Sequence, residues 1–289
     1  MIESHGLTKQ YGRYRAVQNV DLRVADGEVF GFLGLNGAGK TTVMRMICGL
    51  LRPTAGYARV DNVEVRGPED TCRLIPTVSF VSQEMHFFER ATVMDLLRTY
   101  ATLAETAIDR GLAFARQAGV PLDRPCGTLS PGQQRKAQLA IALLKAPRYL
   151  FLDEPTAGLD PQGVAEMREI VRSLQAEGAT VFLSSHVMGE VQMLCSSVGI
   201  LHRGQLRYQS RVEEAYTIGV TGDPMIAAAL LQSMGATAVP EGVRVAVSQK
   251  ELPSITARLM GAGIAVGLIQ ATNLESLFYR IVEQAEVTA

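Results

Sequence analysis

One stretch constrains this chain more than any other: Gly34-Leu35-Asn36-Gly37-Ala38-Gly39-Lys40-Thr41. It follows Val29-Phe30-Gly31-Phe32-Leu33, whose nearly unbroken apolar run suits a strand buried on both faces of a parallel sheet. A helical stretch from Thr41 to Leu50 comes next, ended by Arg52-Pro53-Thr54-Ala55-Gly56. Between a buried strand and a helix start, glycines let the backbone curl so that successive N–H groups point inward. The helix turns its positive end to the same place, and Lys40 adds a full charge there. The pattern G-x-x-x-x-G-K-[ST] in this context implies a cradle for a nucleoside triphosphate, with the Thr41 hydroxyl placed to ligate Mg²⁺. A chance glycine-rich turn would not require the flanking strand and helix.

The same sheet should carry a second chemical feature. Tyr149-Leu150-Phe151-Leu152-Asp153-Glu154 is an apolar strand ending in two carboxylates. In a parallel sheet that end lies at the edge where ligands bind. There Asp153 can hold Mg²⁺ through water, and Glu154 can polarise a water attacking the γ-phosphate. A pair of solvated acids opening a loop is the plainer alternative. Val78–Val81 and Thr180–Leu183 read as further buried strands, with helical spacing over Thr92–Ala118, Pro131–Leu144 and Gly163–Ala176. The expected class is therefore α/β, a largely parallel sheet covered on both faces, with a mainly helical insertion over about 84–147. A formal net charge of −1 supplies no field to draw nucleic acid or anionic lipid. The N-terminus lacks the makings of a signal peptide, and no apolar run approaches the roughly 20 residues of a bilayer span. The chain is expected to be soluble. Cys48, Cys72, Cys126 and Cys195 are scattered, without metal spacing, and are expected to be buried, reduced thiols of a cytosolic protein.

At this point the residues resemble the nucleotide-binding domains of ATP-binding-cassette (ABC) transporters over about Ile2 to Arg211. Leu129-Ser130-Pro131-Gly132-Gln133 is similar to the family's signature sequence, Val81-Ser82-Gln83 to its glutamine loop and Thr156-Ala157-Gly158-Leu159-Asp160 to its D-loop. Ser184-Ser185-His186 resembles the switch histidine and Lys9-Gln10-Tyr11-Gly12 the aromatic loop, all in the family's order. The resemblance implies a P-loop NTPase cassette with a helical signature subdomain. It implies that Tyr11, Asn36, Gly37, Ala38, Gly39, Lys40, Thr41 and Thr42 hold ATP, and that Thr41, Gln83 and Asp153 hold Mg²⁺. Glu154, His186 and Gln83 would be catalytic. Ser130, Gly132, Gln133 and Asp160 would act in trans, on nucleotide held by a second cassette chain. Leu35 and Pro131 depart from the family pattern. Proline suits a first helical turn but removes one N–H donor, so the trans contact would lean on Ser130 and Gly132.

After about Ser210 strands and helices alternate as a small α+β unit, ferredoxin-like except that one strand of the β-α-β-β-α-β order is not evident. The expected division is 1–210 for the cassette and 211–289 for an accessory domain. Asn273-Leu274-Glu275-Ser276-Leu277-Phe278 resembles the tail of cassette subunits from bacterial exporters with separate membrane subunits. The resemblance thus implies an ATPase energising transport, most simply export, from the cytoplasmic face of the membrane. It would be a peripheral subunit paired with a second cassette and with integral membrane subunits, without nucleic acid. The alternative is a soluble cassette ATPase of translation or DNA maintenance, against which stand a single cassette and the lack of sustained heptads. Met85, Phe87 and Phe88 follow Gln83, and at least one is expected to line a groove for a short helix of the membrane subunit.

Overall fold

The computed structural model of the protein describes residues 1–84, 88–212, 215–271 and 274–287. It divides into two compact units, Met1–Ser210 and Arg211–Ala289. The first runs β1 (Ile2–Tyr11), β2 (Tyr14–Val24), β3 (Val29–Leu33), α1 (Lys40–Ile47), β4 (Ala55–Val60), β5 (Val63–Val65), α2 (Thr71–Leu74) and β6 (Val78–Val81). It continues with α3 (Val93–Leu103), α4 (Asp109–Gln117), α5 (Pro131–Ala142), β7 (Tyr149–Leu152), α6 (Pro161–Ala176), β8 (Thr180–Ser185), α7 (Met188–Leu194), β9 (Ser197–His202) and β10 (Gln205–Arg211).

The central sheet has the order β10-β9-β3-β8-β7-β6, and the pairs from β9 through β6 are parallel. Every residue of β3, β7, β8 and β9 is buried, which is why β3 and β7 are wholly apolar and β8 and β9 carry polar residues only at their ends. Phe182 of β8 ties neighbouring strands together, its ring 4.9 Å from that of Phe30 and 5.3 Å from that of Phe151. Gly31 lets α7 lie close on β3, since a Cβ there would come within 2.3 Å of Val191 Cγ1. The carboxyl ends of β3, β6, β7 and β8 open on one edge, and each is followed directly by a segment singled out above. A second sheet, β2-β1-β4-β5, is antiparallel and shares one apolar core with α1 and the central sheet. The strands β4, β5, β9 and β10 and the helices α2 and α7 were not delineated from the sequence.

Helices α3, α4 and α5 form a separate apolar layer around Val93, Leu97, Ala115, Ala137 and Ala140. The helical spacing over Thr92–Ala118 belongs to two helices, not one. Glu105 adopts φ 49° and Thr106 N–H donates to Ala101 O, a left-handed helix ending that usually uses glycine. Because glutamate holds that position, no punctuation is visible in the sequence.

In the second unit β11 (Ala215–Val220), α8 (Pro224–Leu230), β12 (Thr237–Val239), β13 (Gly242–Ala246), α9 (Leu252–Gly261) and β14 (Val266–Ala271) give β-α-β-β-α-β, followed by α10 (Leu274–Val287). The sheet order β12-β13-β11-β14 is antiparallel throughout, so the ferredoxin-like order is complete. The strand missing from the sequence reading is β12, only three residues long. Ile218, Leu231, Val243, Val245, Ile255 and Leu259 form this unit's core. On α10, Leu274 and Phe278 are buried, while Leu277 and Ile281 are partly so.

Among the described residues no helix is long and apolar enough to cross a membrane. All four cysteines are free thiols; Cys48, Cys126 and Cys195 are buried, but Cys72 is exposed, contrary to expectation. Burial pushes the Cys48 and Cys195 thiols up from their ordinary pKa, which keeps them unreactive.

Candidate functional site

The turn after β3 delivers the chain into α1 through Gly39, at φ 104°. A Cβ there would lie 2.7 Å from Ala16 O, so glycine is required both for the dihedral and for the approach of β2. No side chain caps α1, and its first turn holds no acidic residue. The first N–H groups of the helix are therefore open to an anion. Lys40 lies almost buried at this junction. Its Nζ donates to Gly34 O at 2.7 Å and stands 3.1 Å from Glu154 Oε1. That oxygen accepts no well-aligned hydrogen bond, so the two groups are joined by charge rather than by direction.

The carboxyl end of β7 lies beside this turn. Asp153 is 1% exposed, and both of its oxygens are engaged. Thr41 Oγ1 donates to Oδ2 at 2.8 Å and Ser184 Oγ donates to Oδ1 at 2.7 Å. Thr41 and Asp153 thus bring a hydroxyl and a carboxylate oxygen together beside the helix start, a hard donor set that fits Mg²⁺. Glu154 adopts φ 48°, a left-handed conformation that costs a non-glycine residue on the order of 1 kcal/mol or more. Its N–H donates to Ser184 Oγ at 2.9 Å, and its Oε2 is 2.9 Å from His186 Nδ1. The carboxylate thus sits between an ammonium on one side and an imidazole on the other, in a nearly dry setting. A base so placed can take a proton from water if a phosphoryl group occupies the helix start.

Tyr11, Asn36, Gly37, Ala38, Gly39, Lys40, Thr41, Thr42, Gln83 and Glu154 line one cleft of about 370 Å³. Asp153 and His186 do not line it but touch residues that do, Asp153 through Thr41 and His186 through Glu154. Tyr14 and Ala16 complete the lining. Tyr14 was not singled out from the sequence, yet it faces Tyr11 directly across the hairpin turn Gly12-Arg13. A tyrosine on either side of a two-residue turn was the available signal. Ser184 was named only as part of its tripeptide, and its bonds to both Asp153 and Glu154 were not legible. Lys9 Nζ lies 5.1 Å from the centre of the Tyr11 ring.

Ser130, Gly132, Gln133 and Asp160 are not brought to this cleft. They line a second one, of about 360 Å³, at the starts of α5 and α6. Ser130 and Gln133 form a reciprocal cap of α5: Gln133 N–H donates to Ser130 Oγ at 3.3 Å, and Ser130 N–H donates to Gln133 Oε1 at 3.1 Å. Asp160 caps α6 by accepting from Gly163 N–H at 2.7 Å. Pro131 takes the first helical position, where its missing N–H removes no intrahelical bond. Leu35 is half exposed and does not line the first cleft. Of the segment after Gln83, Phe88 is exposed by 75%, while Met85 and Phe87 lie outside the described residues.

A family profile described as ABC transporter matches residues 17–157. A lantibiotic transport ATP-binding protein, SrtF of Streptococcus pyogenes, is 31% identical over 208 residues, covering 71% of this chain and 89% of the relative. A bacitracin transport ATP-binding protein, BcrA of Enterococcus faecalis, is 30% identical over 298 residues, 98% of this chain and 96% of its own. A daunorubicin/doxorubicin resistance ATP-binding protein, DrrA of Streptomyces peucetius, is 37% identical over 215 residues, 71% of this chain and 63% of the relative. Among solved structures, a dimeric post-hydrolysis state of the ATP-binding cassette MJ0796 with ADP and Pi has a TM-score of 0.67 at 23% identity, covering 73% of this chain and 99% of that one. An ATP-binding subunit of an ABC transporter has a TM-score of 0.65 at 23% identity, covering 90% and 99%. Both structures share the fold. A role in translation or DNA maintenance draws no support from these relatives.

Proposed function

The chain belongs to the ABC transporter family as an ATP-binding, ATP-hydrolysing subunit, and from that premise we propose that two such chains close on two nucleotides to drive export of an antibiotic-class compound through separate membrane subunits. The observation that carries the pairing is the separation of the two clefts. The signature segment and Asp160 line a cavity of their own, away from Lys40 and Glu154, and a second chain facing the first in reverse would bring each to the other's nucleotide. The cargo class rests on the relatives named for lantibiotic, bacitracin and daunorubicin. The place of work would be the cytoplasmic face of the membrane, held there by the partner subunits.

In the proposed cycle Tyr11 and Tyr14 hold the base by their faces. The Asn36–Thr42 backbone takes the phosphates, and Lys40 leaves Glu154 for the β- and γ-phosphates. Mg²⁺, held by Thr41 and Asp153 with Gln83 in reach, would neutralise phosphate charge. Glu154, freed of Lys40, takes the proton of the attacking water, and His186, whose Nδ1 meets the carboxylate, would give its ring N–H to the γ-phosphate once nucleotide is bound. Gln83, at the end of β6, precedes the segment proposed to meet the membrane subunit, so closure of the site would move that segment.

Purification of the chain from membranes with a polytopic protein whose transport depends on ATP tests the assembly. Recovery of a fully active ATPase associated with no membrane protein, under conditions that preserve other cassette assemblies, would overturn it.

A further inference from the structure

The described structure contains a buried arginine with no part in the cycle above. Arg135, in the second turn of α5, is 3% exposed. Its guanidinium donates through Nη1 to Ser82 O at 2.7 Å and to Gln138 Oε1 at 3.1 Å, and through Nη2 to Gln83 O and Glu154 O, both at 3.3 Å. One side chain of the signature helix thus holds the backbone of the two loops that carry the catalytic carboxylate and the site glutamine. The three carbonyls lie 53, 52 and 19 residues away along the chain. Arg135 does not line the nucleotide cleft. Burial draws its pKa down, and the nearby Asp153 and Glu154 charges oppose that, keeping it a cation.

We infer that Arg135 is a positioning residue for hydrolysis: it fixes Glu154 and Gln83 to the helix that begins at Ser130, so that the chain's own catalytic loop and the segment it offers in trans move as one body. The geometry demands arginine in particular. A planar fork can serve carbonyls of two loops at once, whereas the single nitrogen of lysine, on a shorter and rounder head, cannot reach both in the same plane. Ser130 stands five residues earlier on the same helix, a rise of about 7.5 Å through rigid helix. An ordered link of that length transmits a displacement of the Glu154 loop to the signature segment. This inference rests on the hydrolytic role proposed for Glu154.

The test compares Arg135→Lys with the wild-type chain, each well below its own melting midpoint. Binding of a fluorescent MgATP analogue should stay within about twofold, because the cradle is untouched. The kcat should fall at least about tenfold with KM changed by less than about threefold, as expected when a catalytic group is misplaced by an ångström or less. A lower melting temperature with wild-type kcat would mean that Arg135 merely stabilises the fold, and would overturn the inference. If Arg135→Lys does not fold, Gln138→Leu decides. It removes only the side-chain brace of the guanidinium and should lower kcat about threefold at unchanged KM, and wild-type kcat would again overturn the idea. A wild-type chain that hydrolyses no ATP would sink the reading of Glu154 itself, a result distinct from either.

Discussion

Glu154→Gln probes the site most sharply because two opposed effects are expected from one atom exchange. Glu154 Oε1 lies 3.1 Å from Lys40 Nζ, with both side chains under 10% exposed. At that distance an effective dielectric of about 20 gives a raw attraction of about 5 kcal/mol. Desolvation of two nearly buried ions cancels most of it, leaving on the order of 1 kcal/mol that incoming phosphate must displace. The amide removes this competition and the repulsion between carboxylate and γ-phosphate, so ATP should bind several-fold tighter, about fivefold for each kcal/mol. Hydrolysis should fall by about 10²–10⁴, since an amide cannot accept the water's proton. The isosteric side chain preserves the bond of the residue 154 N–H to Ser184 and the left-handed backbone, so the local conformation should persist, while Lys40 left without its partner should lower the melting temperature of the nucleotide-free chain. Phosphate release under saturating MgATP gives the rate, and equilibrium binding of ATP to the slow variant gives the affinity. Wild-type turnover would refute the base, and weaker binding would refute the competition between Glu154 and phosphate for Lys40.

Lys40→Ala removes the ammonium at the helix start and should weaken ATP binding at least about tenfold; unchanged affinity in a titration would contradict the cradle. Ser130→Arg places bulk and charge at the mouth of the second cleft and should abolish an ATP-dependent dimer of the Glu154→Gln protein, read by light scattering; a dimer that persists would remove the signature segment from the interface. Phe88→Ala, at a side chain exposed by 75%, should leave ATP binding intact while weakening assembly with the membrane subunit; normal assembly and transport would exclude it as a contact.

What could be read from the sequence was what local chemistry enforces. The phosphate loop, the strand before it and the helix after it follow from glycine, a run of apolar residues and one lysine. The cap at Ser130 follows from its glutamine three residues on. Strand β12 did not emerge because three residues fall below any periodicity, and the break between α3 and α4 was hidden because glutamate, not glycine, takes the left-handed position. The site contacts that escaped notice share another cause. Arg135 acts on carbonyls, which carry no residue identity, and Ser184 meets Asp153 across 31 positions of chain. Such bonds exist only once strands β7 and β8 lie side by side.

The buried charges explain why these distant partners matter. Lys40 and Arg135 face Asp153 and Glu154, two cations against two anions, so the site is neutral before nucleotide enters. Neutrality makes burial tolerable, because an unpaired charge in this setting would cost several kcal/mol. The proposed cycle uses this balance. Lys40 is held by Gly34 O and by the charge of Glu154, whereas Arg135 is held by four acceptors. In that cycle, phosphate that took Lys40 would leave Glu154 without its ammonium neighbour but with Arg135 still bonded to its backbone carbonyl. A left-handed backbone at Glu154 is the local strain required to aim the side chain between Lys40 and His186, and Ser184 and Arg135 are the bonds that keep that conformation in place.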